Sequence, residues 1–284
     1  MSQGGVSERV LFLRRRIAAI EARGGAARDS LLDRRRCEGD GEDFLDPLFA
    51  AGRGSLSEIF PARPPDAPAA AAFALAMALR ARAARASGAL VFIVEDMSAR
   101  EFGLPYGRGL AAAGVDLSCF ALVRVRRPRE ALWAMEEALK SPACAAVVAE
   151  TFLEPRLYDL AASRRLLLAA RRGGALGLLA AQAAEAARFS SAAELRVEIA
   201  ARPAPSPALP SARPPLSLMA PFLWRLRVLK ARAGLLGALG AFDPAQWREI
   251  AFDPDRVAFR HAFPERLPAE APDRPLIAPS RRQA

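Results

Sequence analysis

The turn after the first strand decides what this chain can be. Residues 56–60 predict a short strand, and the Ala-rich stretch 66–85 predicts a long helix with Asp66 as its N-cap. Strand, tight loop and helix is the geometry that cradles nucleotide phosphates. Such a loop needs glycines for close approach, backbone N–H donors, a lysine for the β/γ-phosphates and a Ser or Thr for magnesium. The connecting residues here are Pro61, Ala62, Arg63, Pro64, Pro65, Asp66, Ala67 and Pro68. None is glycine, lysine, serine or threonine, and each proline removes an N–H from the cradle. The expectation is a nucleotide-hydrolase scaffold without the hydrolase: no catalytic residues, no metal and no bound cofactor.

Beyond this turn, apolar runs and helical periods alternate. Residues 89–94, 119–125, 143–149 and 175–180 have the uninterrupted apolar character of strands buried on both faces. Between the second and third, Pro128 opens a helix with Leu132, Met135 and Leu139 on one face and a Glu136–Lys140 pair; a further helix is expected over 156–172, stopped at Gly173-Gly174. This alternation predicts an α/β fold with a mainly parallel sheet flanked by helices. The pattern then changes. Residues 194–200 and 222–228 alternate polar with apolar and predict antiparallel strands on the C-terminal side. A last hairpin is expected over 248–260, turned at Asp253-Pro254-Asp255.

The expected division is an N-terminal helix and charged linker over 1–50, an α/β domain over 51–262 with a Pro-rich insertion at 202–216, and a disordered Pro-rich tail over 263–284. Residues 6–23 predict an amphipathic helix whose Val10, Leu13, Ile17 and Ile20 form a narrow stripe, ready either to pack on the core or to dock a partner helix.

Charge and rare residues narrow the function. Cys37, Cys119 and Cys144 are scattered without metal spacing, and the N-terminus lacks a signal-peptide pattern, so reduced thiols and a cytoplasmic location are expected. One histidine, His261, leaves little for histidine-dependent catalysis. Net charge is +10, nearly all of it from arginine, which favours polyanionic partners. Arg225, Arg227, Lys230 and Arg232, beside Trp224, form the densest basic patch on a predicted strand and are the candidate nucleic-acid contacts, binding weakly, without sequence preference and with strong salt dependence. Their alternative use is in salt bridges to Glu194 and Glu198 across the hairpin. Arg124, Arg126, Arg127 and Arg129 form a second basic cluster. Glu95, Asp96 and Glu150 follow buried strands, at the edge where open α/β sheets place their sites. They are read either as structural pairs and caps or as the remnant of a ligand site.

Several segments together resemble a known family. The run Glu101-Phe102-Gly103-Leu104-Pro105-Tyr106-Gly107-Arg108-Gly109-Leu110, the segment 122–140 with its Arg-Arg-Pro-Arg-Glu-Ala-Leu-Trp-Ala-Met-Glu-Glu-Ala core, and residues 159–168 are similar to ImuA, the RecA-related protein of bacterial inducible-mutagenesis cassettes. The similarity extends over about residues 8–235. It implies a RecA-like core and a damage-induced (SOS) accessory protein in translesion synthesis and mutagenesis. It also implies work with an ImuB-like, Y-family-related partner and an error-prone C-family polymerase, with RecA as a further contact, and hence near the nucleoid. No catalytic residue carries over, since the ATP-binding lysine of RecA has no counterpart here. The family's Leu-Leu-Arg-Asn-Arg-like ending is Val228-Leu229-Lys230-Ala231-Arg232. Two other readings stay open: a DNA-dependent ATPase with an atypical phosphate site, and a SulA-like cell-division inhibitor.

Overall fold

The computed structural model describes residues 45, 54–85, 87–112, 115–182, 190–202, 222–232, 246–254 and 256–261. The helix expected over 6–23, with Val10, Leu13, Ile17 and Ile20, lies outside the described residues, as do the linker apart from Leu45, most of the Pro-rich insertion and the tail.

Among the described residues nine strands form one sheet in the order β3-β2-β4-β5-β1-β6-β7-β8-β9. They are β1 (Ser55–Pro61), β2 (Ala89–Glu95), β3 (Phe120–Val125), β4 (Cys144–Phe152), β5 (Leu176–Gln182), β6 (Leu195–Ala201), β7 (Phe222–Ala231), β8 (Arg248–Asp253) and β9 (Ala258–His261). The first six run parallel, and β6 to β9 form an antiparallel meander. The helices are α1 (Ala67–Arg85), α2 (Asp96–Phe102), α3 (Gly107–Ala112), α4 (Pro128–Leu139) and α5 (Leu160–Gly173).

Strand alternation splits the core into two. Ile59, Phe92, Val94, Val148, Leu178 and Val197 face α1, whose Phe73 and Met77 they meet. Phe60, Val91, Ile93, Val147 and Ala149 face α4 and α5 through Met135, Leu139, Leu166 and Ala170. The chain moves outward from β1 to β3 through α1 to α3 on the first face and returns through α4 and α5 on the second. Reversing direction while keeping one crossover hand requires that change of face. Gly54 shows how closely α5 lies on β1. A Cβ there would stand 1.8 Å from Ala170 O.

Four expectations need correction. The run 119–125 is the edge strand β3, with Leu122 and Arg124 exposed, because nothing pairs with its outer side among the described residues. The strand over 194–200 is antiparallel only to β7; its other neighbour, β1, runs parallel to it. The helix expected from 156 starts at Leu160, because turns occupy the stretch after β4 and Asp159 caps α5 by accepting from Ala162 N–H at 2.8 Å. Gly174 closes α5 in the left-handed region, at φ 73°. Asp66, finally, sits in a 3-10 turn (Pro64–Asp66) before α1, and its carboxylate serves another purpose.

Candidate functional site

The turn joining β1 to α1 occupies the place of a phosphate loop. Prolines at 61, 64, 65 and 68 offer no N–H. Of the four amides left, three are already used: Ala62 N–H donates to Ile199 O (2.8 Å), Asp66 N–H to Arg63 O (2.8 Å) and Ala67 N–H to Pro64 O. The Asp66 carboxylate, buried, accepts from Arg63 Nε at 3.1 Å and from Ala201 N–H at 3.0 Å, fastening the turn to the end of β6. Burial alone would raise the Asp66 pKa. The hydrogen bonds from Arg63 and Ala201 outweigh it and hold the carboxyl below its ordinary range. An Arg63–Asp66 ion pair therefore stands at the mouth of α1, where a phosphate would need free donors.

The three strand-edge acids have separate fates. Glu95 Oε2 accepts from Thr151 Oγ1 (3.0 Å) and from Phe152 N–H (2.9 Å), locking β2 to β4. It precedes α2 but does not cap it through its side chain. Asp96 accepts from Arg124 Nη2 at 2.9 Å. Glu150 is different. It points to the α1 face, only 3% exposed, and burial pushes its pKa up to about 7, with the Gln182 amide drawing it back only in part. Glu150 Oε1 and Gln182 Nε2 are both buried without a well-formed hydrogen bond.

A polar network on the opposite face escaped the sequence reading. Glu58, wholly buried in β1, accepts from Tyr158 Oη at 2.5 Å and from Arg196 Nε at 2.8 Å. The Arg196 guanidinium also lies over the Phe60 ring, 5.5 Å from its centre. Glu58 and Arg196 are direct cross-strand partners. Burial, then the charge and hydrogen bond of Glu58, push the Tyr158 hydroxyl far above its usual pKa. A lone acid between the apolar Leu56 and Ile59-Phe60 of β1 was the available signal, since a buried carboxylate requires a partner.

The basic residues of β7 lie on one face because of a bulge. Simple alternation puts Arg225 and Arg227 opposite Trp224, Leu226 and Val228, but would place Lys230 and Arg232 on the Trp224 side. The register with β6 shifts: Val197 pairs with Val228 and Arg196 with Lys230, leaving Leu229 as the extra residue. Lys230 thereby rejoins the face of Arg225 and Arg227. Most of these cations have internal partners. Arg227 bonds Glu198, Arg232 meets Glu194 at 2.7 Å, and Lys230 Nζ donates to Ser191 O at 2.8 Å. Arg225 and Arg227 also stack on Trp247, 5.2 and 5.0 Å from its ring centre. In the second cluster, Arg124 pairs with Asp96, Arg126 uses its backbone N–H to reach Glu130, Arg127 is the N-cap residue of α4, and Arg129 borders a groove.

Apolar exposure is concentrated on the crossover from β2 to the sheet edge. Met97, Leu104, Tyr106, Leu117 and Leu122 are all exposed, Tyr106 at 68%, and the crossover ends in the open edge of β3. Exposed large apolar groups and a strand edge left unpaired among the described residues are features that docking surfaces share.

Among the described residues no group of His, Cys, Asp and Glu is placed to hold a metal ion, the free Cys119 and Cys144 are buried, and no helix is long and apolar enough to cross a membrane. No protein-family model matches the chain, and no curated protein matches it. Among solved structures it is similar to the crystal structure of SulA from Pseudomonas aeruginosa, at 24% identity over 46% of this chain and 98% of that one, with a TM-score of 0.33.

Proposed function

We propose that this chain is a non-catalytic, RecA-like adaptor, of the ImuA kind, in damage-induced translesion synthesis. The observation that carries the reading is the turn between β1 and α1. It lies where a nucleotide hydrolase holds its phosphates, yet prolines remove half of its amides, three of the four that remain are bonded inward, and its one acid is paired with Arg63. A scaffold with that turn works through its surfaces. The exposed crossover and open edge at β3 supply one, suited to an apolar segment of an ImuB-like partner that can add backbone hydrogen bonds to the edge. DNA contact, in this reading, is weak and salt-sensitive, because the β7 cations are largely engaged within the chain.

The test uses purified full-length chain with purified ImuB-like protein and polymerase, followed by interferometry. Leu122→Arg and Tyr106→Ala should weaken association about tenfold or more while leaving the fold intact. Unchanged association in both variants refutes the edge as the docking surface, and no association in the wild type refutes the adaptor role.

One observation favours a second reading, an ATPase with an unorthodox site: Glu150 is a buried, poorly bonded acid at the strand edge with a pKa near neutrality. ATP hydrolysis that disappears in Glu150→Gln would establish it.

A further inference from the structure

A groove of about 590 Å³ runs between the start of α4 and the segment that leads from β4 into α5. Its floor is apolar, made by Leu132, half-buried Trp133 and half-buried Leu157. Three arginines stand on its rim: Arg129, Arg156 and Arg165. Arg165 leans on Glu136 at 3.3 Å. Arg129 and Arg156 are exposed and have no ion pair among the described residues.

The two acids in the groove are occupied locally. Glu130 accepts from Arg126 N–H at 3.0 Å and Asp159 from Ala162 N–H at 2.8 Å. Glu136 offsets Arg165, so Arg129 and Arg156 stand against Glu130 and Asp159, and of these four only the two arginines have side-chain hydrogen bonds unused among the described residues. That balance decides the class of ligand. A phosphodiester strand carries a charge at every nucleotide and would pass between two fixed carboxylates, whereas the favourable arrangement for nucleic acid is a continuous cationic track. A peptide with one or two acids beside a large apolar side chain matches both halves of the groove: the anchor covers Trp133 and Leu157, and the acids meet Arg129 and Arg156.

We propose that the groove between α4 and α5 docks an acidic peptide segment of a partner protein, anchored by an aromatic or aliphatic side chain. This site lies on the α4–α5 face and is separate from the β3 edge, so it stands or falls apart from the adaptor reading.

The experiment is fluorescence anisotropy on the full chain with a labelled, end-blocked peptide Ser-Asp-Leu-Phe-Glu-Ser. Parallel titrations use the same peptide with Ala in place of Phe and Leu, and a labelled oligo-dT. The wild type should bind the first peptide, and Arg129→Glu/Arg156→Glu should weaken it about tenfold or more. Arg225→Glu/Arg227→Glu should leave it unchanged, and Leu122→Arg, which tests the edge, should leave it unchanged as well. Circular dichroism identical to wild type keeps the double variant interpretable, since both side chains are exposed. Four results overturn the proposal: no peptide binding by the wild type, equal binding by the groove variant, equal binding of the Ala peptide, or oligo-dT displacing the peptide and losing its own affinity in Arg129→Glu/Arg156→Glu.

Discussion

Replacing Glu150 by Gln should stabilise the protein, and only above the acid range. Glu150 is 3% exposed on the α1 face of β4, and its carboxyl titrates at about 7 instead of the ordinary 4.5. Below about pH 4.5 it is protonated in both the folded and unfolded chain, so ionisation costs the fold nothing. As pH rises from there to about 7, the unfolded chain releases a proton that the folded chain retains, and stability falls over this window. Above it the folded chain carries a buried charge, at a cost of about 3 kcal/mol for a carboxyl raised from 4.5 to about 7. Gln is isosteric with the neutral acid and removes that cost. Urea denaturation should therefore find Glu150→Gln more stable by about 3 kcal/mol at about pH 8 and within about 0.5 kcal/mol of wild type at about pH 4. Equal stability at about pH 8, or a gain independent of pH, would refute the claim that burial dominates at this site.

Asp66 carries the opposite sign. Its folded pKa is depressed, so its contribution is present above the ordinary carboxylate range and lost as pH falls through the folded value; Asp66→Asn should cost about 1–3 kcal/mol near neutrality, read by denaturation. Arg196→Met leaves Glu58 buried with Tyr158 as its one remaining partner here and should cost about 3–5 kcal/mol, whereas Glu58→Leu/Arg196→Met should recover much of that; a double variant as unstable as the single would contradict the pairing argument. Gly54→Ala forces a Cβ against Ala170 O and should lower the unfolding midpoint by several degrees; an unchanged midpoint would mean that α5 can lift from β1 at no cost. Arg225→Glu/Arg227→Glu should change single-strand DNA binding little at physiological salt, because Arg227 already bonds Glu198; strong loss would restore β7 as the main DNA contact.

The buried strands were legible because strands covered on both faces can run without polar interruption, as residues 89–94 and 176–181 do. Pairing was less so. An apolar run does not say whether a neighbour lies on both sides, and β3 proved to be an edge. The grouping of Arg225 and Arg227 with Lys230 was expected for an incomplete reason. Period-two alternation fails between them, and the bulge at Leu229 that repairs it depends on the register with β6. The salt bridges to Glu194 and Glu198 could be read as alternatives because a hairpin places them across the strand. The Glu58 network could not be assembled that way, since Tyr158 and Arg196 stand 100 and 138 residues away. The late start of α5 belongs to the same network: the turn before Asp159 brings Tyr158 under β1. Asp159, a good N-cap residue, was the local signal for it.

The most direct test of the central claim is isothermal titration of the full chain with magnesium and ATP at low salt. A turn that keeps one uncommitted amide, the rest being absent or bonded inward, predicts no heat beyond dilution at ligand concentrations up to about 1 mM, where a functioning phosphate loop would be saturated. Saturable, magnesium-dependent heat that Arg63→Ala or Asp66→Asn alters would place the phosphates at that turn and contradict the account.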